Sequence, residues 1–515
     1  MSRPWLEHVQ LPLSRVLLIA AAILGSAVLA YRADVIYVGA VLGLAGLAVI
    51  IRKPHLGVIA LIPASMLAPV SIGTGTGTEI NATVALLAAL LVLWLLSMML
   101  RRQVRFIASP VIVPAFAFGV AAILSFLSGQ LPWFVALPAP IAAQIGGLAL
   151  MLLAVGAVIL AAHQMQDVRW LRWLTWVFLA LGAVYLASRI IPGGRPVTRL
   201  FQYGSESSMF WTWIMAVAFS QALVNRSLSK GWRLALFAIV GMAVYIGLFQ
   251  RRDWTSGWMP GMIAMLIVVW MAHPRLGVLA ILVGGVVALF QLDVIRGLVY
   301  IGDNEYSAFT RLEAWGILLE IAKVNPVLGL GPANYYFYTP LFPILGYAVS
   351  FNSHNNYIDL IAQTGALGLG CFLWFSARLL QVGWRVWRAY LRPPPDSALR
   401  PAFFARSSPR PLSDVAGRLP LENLFDARDA HFLHAFVIGA FSGFAATLFS
   451  GMLGDWFLPF VYNVGFVGFR SAIYGWLFIG GLVAAAQIIK ARQSSSEPAE
   501  MPATPPMNMP HRRRV

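Results

Sequence analysis

Stretches of about 20 predominantly apolar residues recur along nearly the whole chain, and short polar segments separate them. A helix needs about 20 such residues to cross the hydrocarbon core of a bilayer. We therefore predict an all-α, polytopic integral membrane protein with about 14 (12–14) transmembrane helices. The predicted spans are 16–31, 35–51, 56–72, 80–100, 110–128, 141–162, 173–191, 209–224, 233–249, 257–272, 276–292, 355–377, 432–452 and 471–489.

The composition supports a lipid environment and excludes other classes of protein. Hydrophobic residues make up 59% of the 515 residues and charged residues 11%, which is more apolar surface than a soluble fold needs to bury. The single cysteine, Cys371, excludes an intramolecular disulfide framework and a cysteine-rich metal site. The net charge of +17 does not indicate nucleic-acid binding, because the basic residues separate apolar runs instead of covering one soluble face.

The distribution of lysine and arginine predicts the orientation in the membrane. With a cytoplasmic N-terminus, most of the 37 basic residues fall in cytoplasmic loops and tails, as the positive-inside rule requires. Both termini are then cytoplasmic, and the first apolar run is a retained helix because no small-residue cleavage signature follows it. The basic residues left on the outer side are Arg32, Arg189, Arg195, Arg199, Arg251, Arg252, Arg296, Arg311, Lys323 and Arg470.

These patterns divide the chain into five predicted regions. The long outer loop 293–354 mixes aromatic, glycine and amphipathic stretches and should carry short amphipathic helices on the membrane surface. The Arg- and Pro-rich composition of residues 379–430 is typical of a flexible tether. The regions are N-terminal transmembrane helices (1–190), a core that includes the outer loop (191–378), a cytoplasmic Arg/Pro-rich loop (379–430), C-terminal transmembrane helices (431–490) and a disordered cytoplasmic tail (491–515).

His354 is the one histidine of eight that the predicted topology places on the outer side. It precedes a spanning helix in the segment SHNNYIDL, where Asn355 and Asp359 are spaced i,i+4 on one helical face. A base at the edge of the bilayer is suited to accept a proton from a hydroxyl group. The alternative is that His354 caps the helix or hydrogen-bonds to lipid headgroups.

Four of the outer arginines flank helix ends beside aromatic and glycine residues. Arg195 and Arg199 lie in RPVTRLFQYG, and Arg251 and Arg252 lie in QRRDW. Guanidinium groups bind phosphate oxygens in a bidentate fork, so converging arginines would suit a diphosphate leaving group. Snorkelling to the interface, or pairing with Asp253 and Glu206, is the alternative.

The outer segment TRLEAWGILLEIAKVNPVLGLGPAN predicts an amphipathic helix that ends before Pro326 and a glycine-rich turn after it. Arg311 and Trp315 share one face of this helix, and Glu313, Ile317 and Glu320 follow helical spacing as well. The backbone N–H groups of the turn could approach a phosphate, although the turn lacks a nucleotide-binding fingerprint. The outer segments contain no metal-binding motif and the chain has no P-loop, so we expect neither a metal nor another cofactor.

The order of these motifs resembles the O-antigen ligase and polymerase superfamily. The resemblance extends over about residues 195–380, from Arg199–Gly204 through Arg251 and Arg252 to RLEAWGILLE, NPVLGLGPANY and SHNNYIDLIAQTGALGLG. It implies a metal-independent bacterial inner-membrane glycosyltransferase that faces the periplasm and uses undecaprenyl-diphosphate-linked glycans.

The resemblance also implies roles for individual residues. His354 is similar to the family's histidine, a general base for the acceptor hydroxyl, with Arg311 as its catalytic partner. Arg199, together with Arg251 or Arg252, matches the arginines that hold the donor diphosphate, and Arg195 is a further candidate. Asn355, Trp315, Glu313 and Asp359 would support the site. The family turn often reads Ser-Arg-Gly, whereas this chain has Gln250-Arg251-Arg252-Asp253, so the choice between the two arginines stays open.

Three functions follow from these observations. The first is a ligase that moves a glycan from its lipid carrier to a lipid A-core or other cell-envelope acceptor; the second is a polymerase with the same chemistry. In either case we expect the glycan to stack on Trp315, Tyr335, Tyr336 and Tyr338. The third is a flippase or transporter of lipid-linked glycan, which the crowding of charges at the outer mouth disfavours.

Overall fold

The computed structural model describes residue 46, residue 50 and residues 52–73, 79–290, 303–391 and 421–496. Residues 1–57 and residues 58–515 form two separate compact units. In the first unit, residues 46, 50 and 52 are helical, and a helix begins at Pro54. The site described below lies in the second unit.

Thirteen helices of at least 14 residues fall within the described ranges. They are α1 (Pro54–Leu67), α2 (Ala82–Leu100), α3 (Ile112–Ser128), α4 (Ile141–Gln164), α5 (Val168–Ile190), α6 (Ser208–Val224), α7 (Lys230–Tyr245), α8 (Thr255–Ala272), α9 (Pro274–Phe290), α10 (Asp303–Ala322), α11 (Asn356–Val386), α12 (Ala427–Ser450) and α13 (Gly465–Ser496). Shorter elements are the helices Arg195–Thr198, Tyr335–Tyr338 and Leu421–Leu424, the 3₁₀ turns Tyr203–Ser205 and Thr339–Leu341, and the π-helical turns Ile246–Gln250 and Trp387–Leu391. One antiparallel hairpin pairs β1 (Ser71–Gly73) with β2 (Glu79–Asn81).

The all-α membrane class is confirmed, whereas the predicted number of about 14 spans is not. Eight helices in the described part of the chain are long and apolar enough to cross a membrane, namely α2, α4, α5, α7 with its π-helical turn, α8, α11, α12 and α13. Four further apolar helices, α1, α3, α6 and α9, are shorter. The predicted spans 16–31 and 35–51 lie outside the described residues, apart from residues 46 and 50.

Helix α6 is the centre of the bundle. It packs against α5, α7, α8, α12 and α13, and nearly all of its side chains are buried. Glycines on α12 permit this close approach: a Cβ on Gly439 would lie 2.2 Å from Ser220 Oγ, and one on Gly443 would lie 2.7 Å from the Trp213 ring. Small residues play the same role wherever membrane helices pack closely, because lipid supplies no hydrophobic drive between them.

Helix α11 is broken at Gly365, where φ is +63°. The segment 326–331, which precedes α11 in sequence, supplies backbone hydrogen-bond partners for the groups left unpaired at the break. Ala366 N donates to Pro326 O (2.8 Å), and Gly331 N donates to Gln363 O (3.0 Å). A glycine is required at the break because a Cβ there would lie 2.3 Å from the Val327 carbonyl oxygen. Backbone satisfaction of this kind permits irregular structure within a membrane protein.

Helix boundaries differ from the predicted regions near the long cytoplasmic loop. Helix α11 and its π-helical turn continue to Leu391, and α12 starts at Ala427, so both ends of the 379–430 segment are helical. Helix α13 extends to Ser496, beyond the predicted start of the tail at 491. Uncharged apolar sequence marks where a helix crosses lipid but not how far it projects from the membrane, which is the physical reason for the difference. Residues 392–420 and 497–515 lie outside the described residues.

Four connecting segments meet at one end of the bundle, which we call the polar end: 191–207, 251–254, 303–355 and 451–464. Contacts of the last segment define it, because Asn356 N donates to Gly451 O (2.8 Å), Arg311 Nη1 donates to Leu453 O (3.3 Å), and the Trp456 ring contacts the Trp254 ring. The short turns at 165–167, 225–229 and 425–426 form the opposite end.

Candidate active site

His354 occupies a strained position immediately before α11. Its φ is +49°, in the left-handed region that a residue with a Cβ seldom adopts. The next residue, Asn355, begins the helix: its side-chain oxygen accepts hydrogen bonds from Tyr357 N (2.9 Å) and Ile358 N (3.3 Å). The helix cap is therefore Asn355 and not His354, which leaves the half-buried imidazole available for other contacts.

Buried hydrogen bonds hold the turn that carries His354. Ser353 Oγ and the Tyr335 hydroxyl both donate to Asp359 Oδ1, at 2.7 Å and 2.5 Å, and Asn355 N donates to Ser353 Oγ (2.8 Å). Trp315 Nε1 donates to the Ser353 carbonyl oxygen at 2.8 Å. Three of the predicted supporting residues thus converge on this turn, while Ser353 and Tyr335 were not foreseen.

The 451–464 segment also lines the site. It was not identified from the sequence. Asn463 Nδ2 lies 3.5 Å from His354 Nδ1 and donates to Asp455 Oδ1 at 2.7 Å. Asp455 is 2% exposed, and its other oxygen accepts from Phe460 N at 2.9 Å. Burial raises the pKa of Asp455, against the opposing effects of these hydrogen bonds and of Arg311. The available signal was an acidic residue in the otherwise uncharged run GMLGDWFLPF.

Arg311 places a positive charge near both His354 and Asp455. Burial lowers the pKa of the Arg311 guanidinium, and the carboxyl group of Asp455 opposes this change. Burial, and after it the charge of Arg311, lower the pKa of His354 to about 4. The imidazole is therefore neutral near pH 7 and can accept a proton.

Glu313 lies two residues after Arg311 on the same helix. Its carboxylate accepts a hydrogen bond from Leu345 N (3.1 Å), a residue whose φ of +47° is also left-handed. The side chain therefore fixes the 339–349 region against α10 and makes no contact with His354 in the described structure.

The two neighbouring arginines of the QRRD turn face different surroundings. The Arg251 guanidinium lies 3.9 Å from Glu206 Oε1 and 5.7 Å from the centre of the Trp254 ring, and that ring meets Trp456 edge-on at 6.0 Å. Arg252 is 64% exposed and pairs with Asp253 at 3.5 Å. This geometry favours Arg251 over Arg252, because Arg251 lies against Trp254, which contacts Trp456 in the 451–464 segment.

Arg195 and Arg199 lie on or beside the short helix Arg195–Thr198 and are exposed. Among the described residues neither has an ion-pair partner, whereas Arg189 pairs with Glu206 at 3.3 Å. Tyr203 brings their segment to the border of the site. Burial, and after it the charges of Asp455 and Glu206, raise the pKa of this phenol, which indicates that both carboxyl groups lie near it. Gly204, the glycine that follows Arg199 in the motif, is required by close packing. A Cβ on Gly204 would lie 2.6 Å from the Ser65 carbonyl oxygen.

Two sequence-based expectations are wrong. The backbone N–H groups of the GLGPAN turn cannot bind phosphate, because Leu330 N, Gly331 N and Ala333 N donate to Ala362 O, Gln363 O and Gln363 Oε1. Tyr335 and Tyr338 offer no stacking surface to a glycan, because they are 0% and 1% exposed and belong to an apolar cluster below the site.

The outer basic residue Arg470 also has a structural role. It is buried and donates hydrogen bonds to the carbonyl oxygens of Ala68 and Val70, at 2.8 Å and 3.2 Å.

Within the described ranges, no group of three or more His, Cys, Asp or Glu side chains is arranged to hold a metal ion. The groups that converge at the polar end are instead a neutral imidazole, a guanidinium, a buried carboxyl group and an outer set of arginines.

Comparison with known families gives one match over the region that carries this site. Residues 214–373 match the family model described as O-antigen ligase, which confirms the resemblance inferred from the motifs. The matched region runs from α6 to the middle of α11 and includes Arg251, Arg311 and His354. No curated protein matches the chain.

Proposed function

With the family match as the premise, we propose that the protein transfers a glycan from an undecaprenyl-diphosphate carrier to a hydroxyl group of a lipid A-core or other cell-envelope acceptor. The observation that carries this proposal is that His354 and Arg311 both meet the 451–464 segment at the polar end, His354 at Asn463 (3.5 Å) and Arg311 at Leu453 O (3.3 Å), where the charge of Arg311 helps to lower the pKa of the imidazole. A base next to a positive charge suits a reaction in which a proton leaves one reactant and negative charge develops on the other.

The proposed reaction is a direct displacement. The acceptor oxygen attacks the anomeric carbon of the donor glycan while its proton passes to His354. The bond from that carbon to the carrier breaks, and the lipid diphosphate departs with the electron pair. A single displacement at one carbon inverts its configuration, so the new glycosidic bond has the opposite anomeric configuration to the donor.

Arg311 has two consequences for this step. In the free protein its charge helps to keep His354 unprotonated. When a diphosphate binds near the guanidinium, the negative charge offsets this effect and raises the basicity of the imidazole. His354 then becomes a stronger base only when the donor is in place, and Arg311 stabilises the departing phosphate charge.

Arg251 and the exposed pair Arg195 and Arg199 are proposed to bind the diphosphate. Arg251 lies against Trp254, which contacts Trp456, and a partly exposed guanidinium can exchange its long 3.9 Å contact with Glu206 for phosphate oxygens. Arg252, already paired with Asp253, is the weaker candidate.

We propose an inner-membrane location with cytoplasmic termini, so that the polar end faces the periplasm. The excess of lysine and arginine on the other side supports this orientation. The matched family is described as O-antigen ligase, which supports a ligase over a polymerase. A polymerase would differ only in its acceptor, a second lipid-linked repeat unit.

A reconstituted transfer assay tests the proposal. The purified full-length protein in vesicles receives lipid-diphosphate-linked glycan with and without lipid A-core, and mass spectrometry follows the acceptor. We expect a product only when both substrates are present, with inverted anomeric configuration by NMR. Transfer to a second donor molecule would identify a polymerase, and movement of the donor across the bilayer without bond formation would contradict the enzyme.

A further inference from the structure

Two tyrosines at the polar end form a stacked pair that the proposed mechanism leaves unused. The Tyr336 and Tyr462 rings lie with their centres 4.8 Å apart and their planes at 12°, and Phe337 meets Tyr462 edge-on at 5.3 Å. All three rings are half-buried. They therefore differ from Tyr335 and Tyr338, which are enclosed in the protein.

The stacked pair is connected to the candidate base through Asn463. Tyr462 is the chain neighbour of Asn463, and the exposed side chain of Asn463 lies 3.5 Å from His354 Nδ1. A molecule resting against the Tyr462 ring would therefore reach the imidazole over a short distance. Stacking of Tyr336 on the glycan was expected from the sequence, but Tyr462 was not predicted as the partner of Tyr336.

The 451–464 segment separates this aromatic surface from the arginines. Its Trp456 contacts Trp254, the ring against which Arg251 lies, whereas its Tyr462 contacts Tyr336 in the 303–355 segment. A diphosphate held by Arg251 would approach His354 past Trp254 and Trp456. The side of the segment that carries Tyr462 and Tyr336 is then free for the other substrate.

The chemistry of the pair suits a sugar ring. An aromatic face packs against the apolar C–H face of a sugar, and a phenol hydroxyl supplies a polar handle at the same surface. Burial, and then the proximity of Tyr336, raise the pKa of Tyr462, so its hydroxyl stays neutral and can both donate and accept. Among the described residues the structure shows no hydrogen-bond partner for either hydroxyl.

We infer that Tyr336 and Tyr462 form the subsite for the acceptor sugar, the ring whose hydroxyl group His354 deprotonates. This inference rests on the proposed transfer reaction and deepens it. The acceptor is assigned here, and not the donor glycan, because only the acceptor must present a hydroxyl to the imidazole while the donor diphosphate lies toward Arg251. Binding of this sugar then fixes the attacking oxygen relative to the base.

Leucine variants test the subsite while largely preserving side-chain volume. For Tyr462→Leu and Tyr336→Leu we expect the KM for the acceptor to rise about ten-fold, since loss of an aromatic contact weakens binding by about that factor. The turnover number and the KM for the donor should change by less than about three-fold. Tyr462→Phe keeps the ring and should stay within about three-fold, and Tyr347→Leu, which alters a tyrosine that is 66% exposed, should have no effect.

Direct binding separates this inference from the transfer reaction. Isothermal titration uses the full-length protein and lipid A-core oligosaccharide freed of its acyl chains, and it requires no turnover. Binding to the wild type that weakens about ten-fold in the leucine variants supports the subsite even if no glycan is transferred. Equal affinity in wild type and leucine variants, no binding to the wild type, or a rise in the donor KM alone would overturn it.

Discussion

The two ends of the helix bundle treat their charged residues in different ways. At the opposite end, Arg169 and Asp167 form an ion pair at 3.1 Å with side chains that are 64% and 49% exposed. At the polar end, Asp455 is 2% exposed, and Arg311 reaches a backbone carbonyl instead of a close carboxylate. The Arg169–Asp167 pair thus stays in solvent, whereas Asp455 is withdrawn from it and Arg311 is half-buried.

This difference separates topology from chemistry. An exposed ion pair contributes about 0–1 kcal/mol, so the charges at the opposite end need no explanation beyond membrane orientation. Burying charged groups costs several kcal/mol unless they are well paired, and perturbed groups of this kind concentrate at functional sites. Substitutions at the polar end should therefore affect transfer strongly, and matched substitutions at the opposite end should not.

The largest contrast is expected between Arg311→Gln and Arg169→Gln. Loss of the buried guanidinium removes charge stabilisation from the departing diphosphate, and we expect the turnover number to fall by about 10²–10³-fold. Arg169→Gln, at the opposite end, should stay within about two-fold. Steady-state transfer kinetics measure both, and equal losses in the two variants would erase the distinction between the ends.

The next contrast lies within the polar end, between the adjacent residues Arg251 and Arg252. Arg251→Gln should raise the KM for the donor and reduce kcat/KM by about 10²-fold, because this guanidinium lies against Trp254, the ring that contacts Trp456 of the 451–464 segment. Arg252→Gln removes an exposed charge that pairs with Asp253 and should change kcat/KM by less than about two-fold. The reverse order of effects would reassign the diphosphate contact to Arg252.

A smaller effect is expected from the buried carboxylate below the catalytic turn. Asp359→Leu leaves the Tyr335 hydroxyl without its acceptor, which costs about 1–3 kcal/mol, and removes one of the two acceptors of Ser353 Oγ, the other being Asn355 O. We expect a lower thermal midpoint by tryptophan fluorescence and about ten-fold slower transfer, because the His354 turn loses its support. Asp359→Asn keeps an acceptor oxygen and should lie much closer to the wild type in both measurements.

The smallest expected effect is the response to pH. Burial and Arg311 lower the pKa of His354 to about 4, so the free protein already holds a neutral imidazole at pH 6. The value of kcat/KM for the donor reports the free protein and should change by less than about two-fold between pH 8 and pH 6. A histidine with an ordinary pKa near 6.5 would instead lose about four-fold over this interval. In Arg311→Gln the fall should move to higher pH, because a positive charge beside the imidazole is gone.

The polar end also shows how far the sequence can predict such a site. The helices were predictable because lipid imposes a long uncharged run on every span, and His354 could be singled out because the topology leaves it alone on its side. The start of the helix after His354 was predictable as well, although the capping residue is Asn355 and not His354. Each of these inferences needs only neighbouring residues or the overall distribution of charge.

The contributions that could not be predicted depend on contacts distant in sequence. Asp455 and Asn463 reach His354 from a segment about 100 residues away, and no local pattern specifies that approach. The N–H groups of the glycine-rich turn looked available for phosphate, but the break at Gly365 uses them. Tyr335 and Tyr336 are adjacent in sequence, yet only tertiary packing determines that one is buried and the other stacks beside the site.

The most direct test of the account is the single-turnover rate of glycan transfer by His354→Gln with donor and acceptor at saturating concentrations. Glutamine retains a polar side chain at the turn but cannot accept the acceptor proton, so we predict a rate about 10²–10⁴-fold below that of the wild type. Binding of the donor to this variant should remain within about three-fold, because the arginines are intact. A transfer rate within two-fold of the wild type would contradict the assignment of His354 as the base.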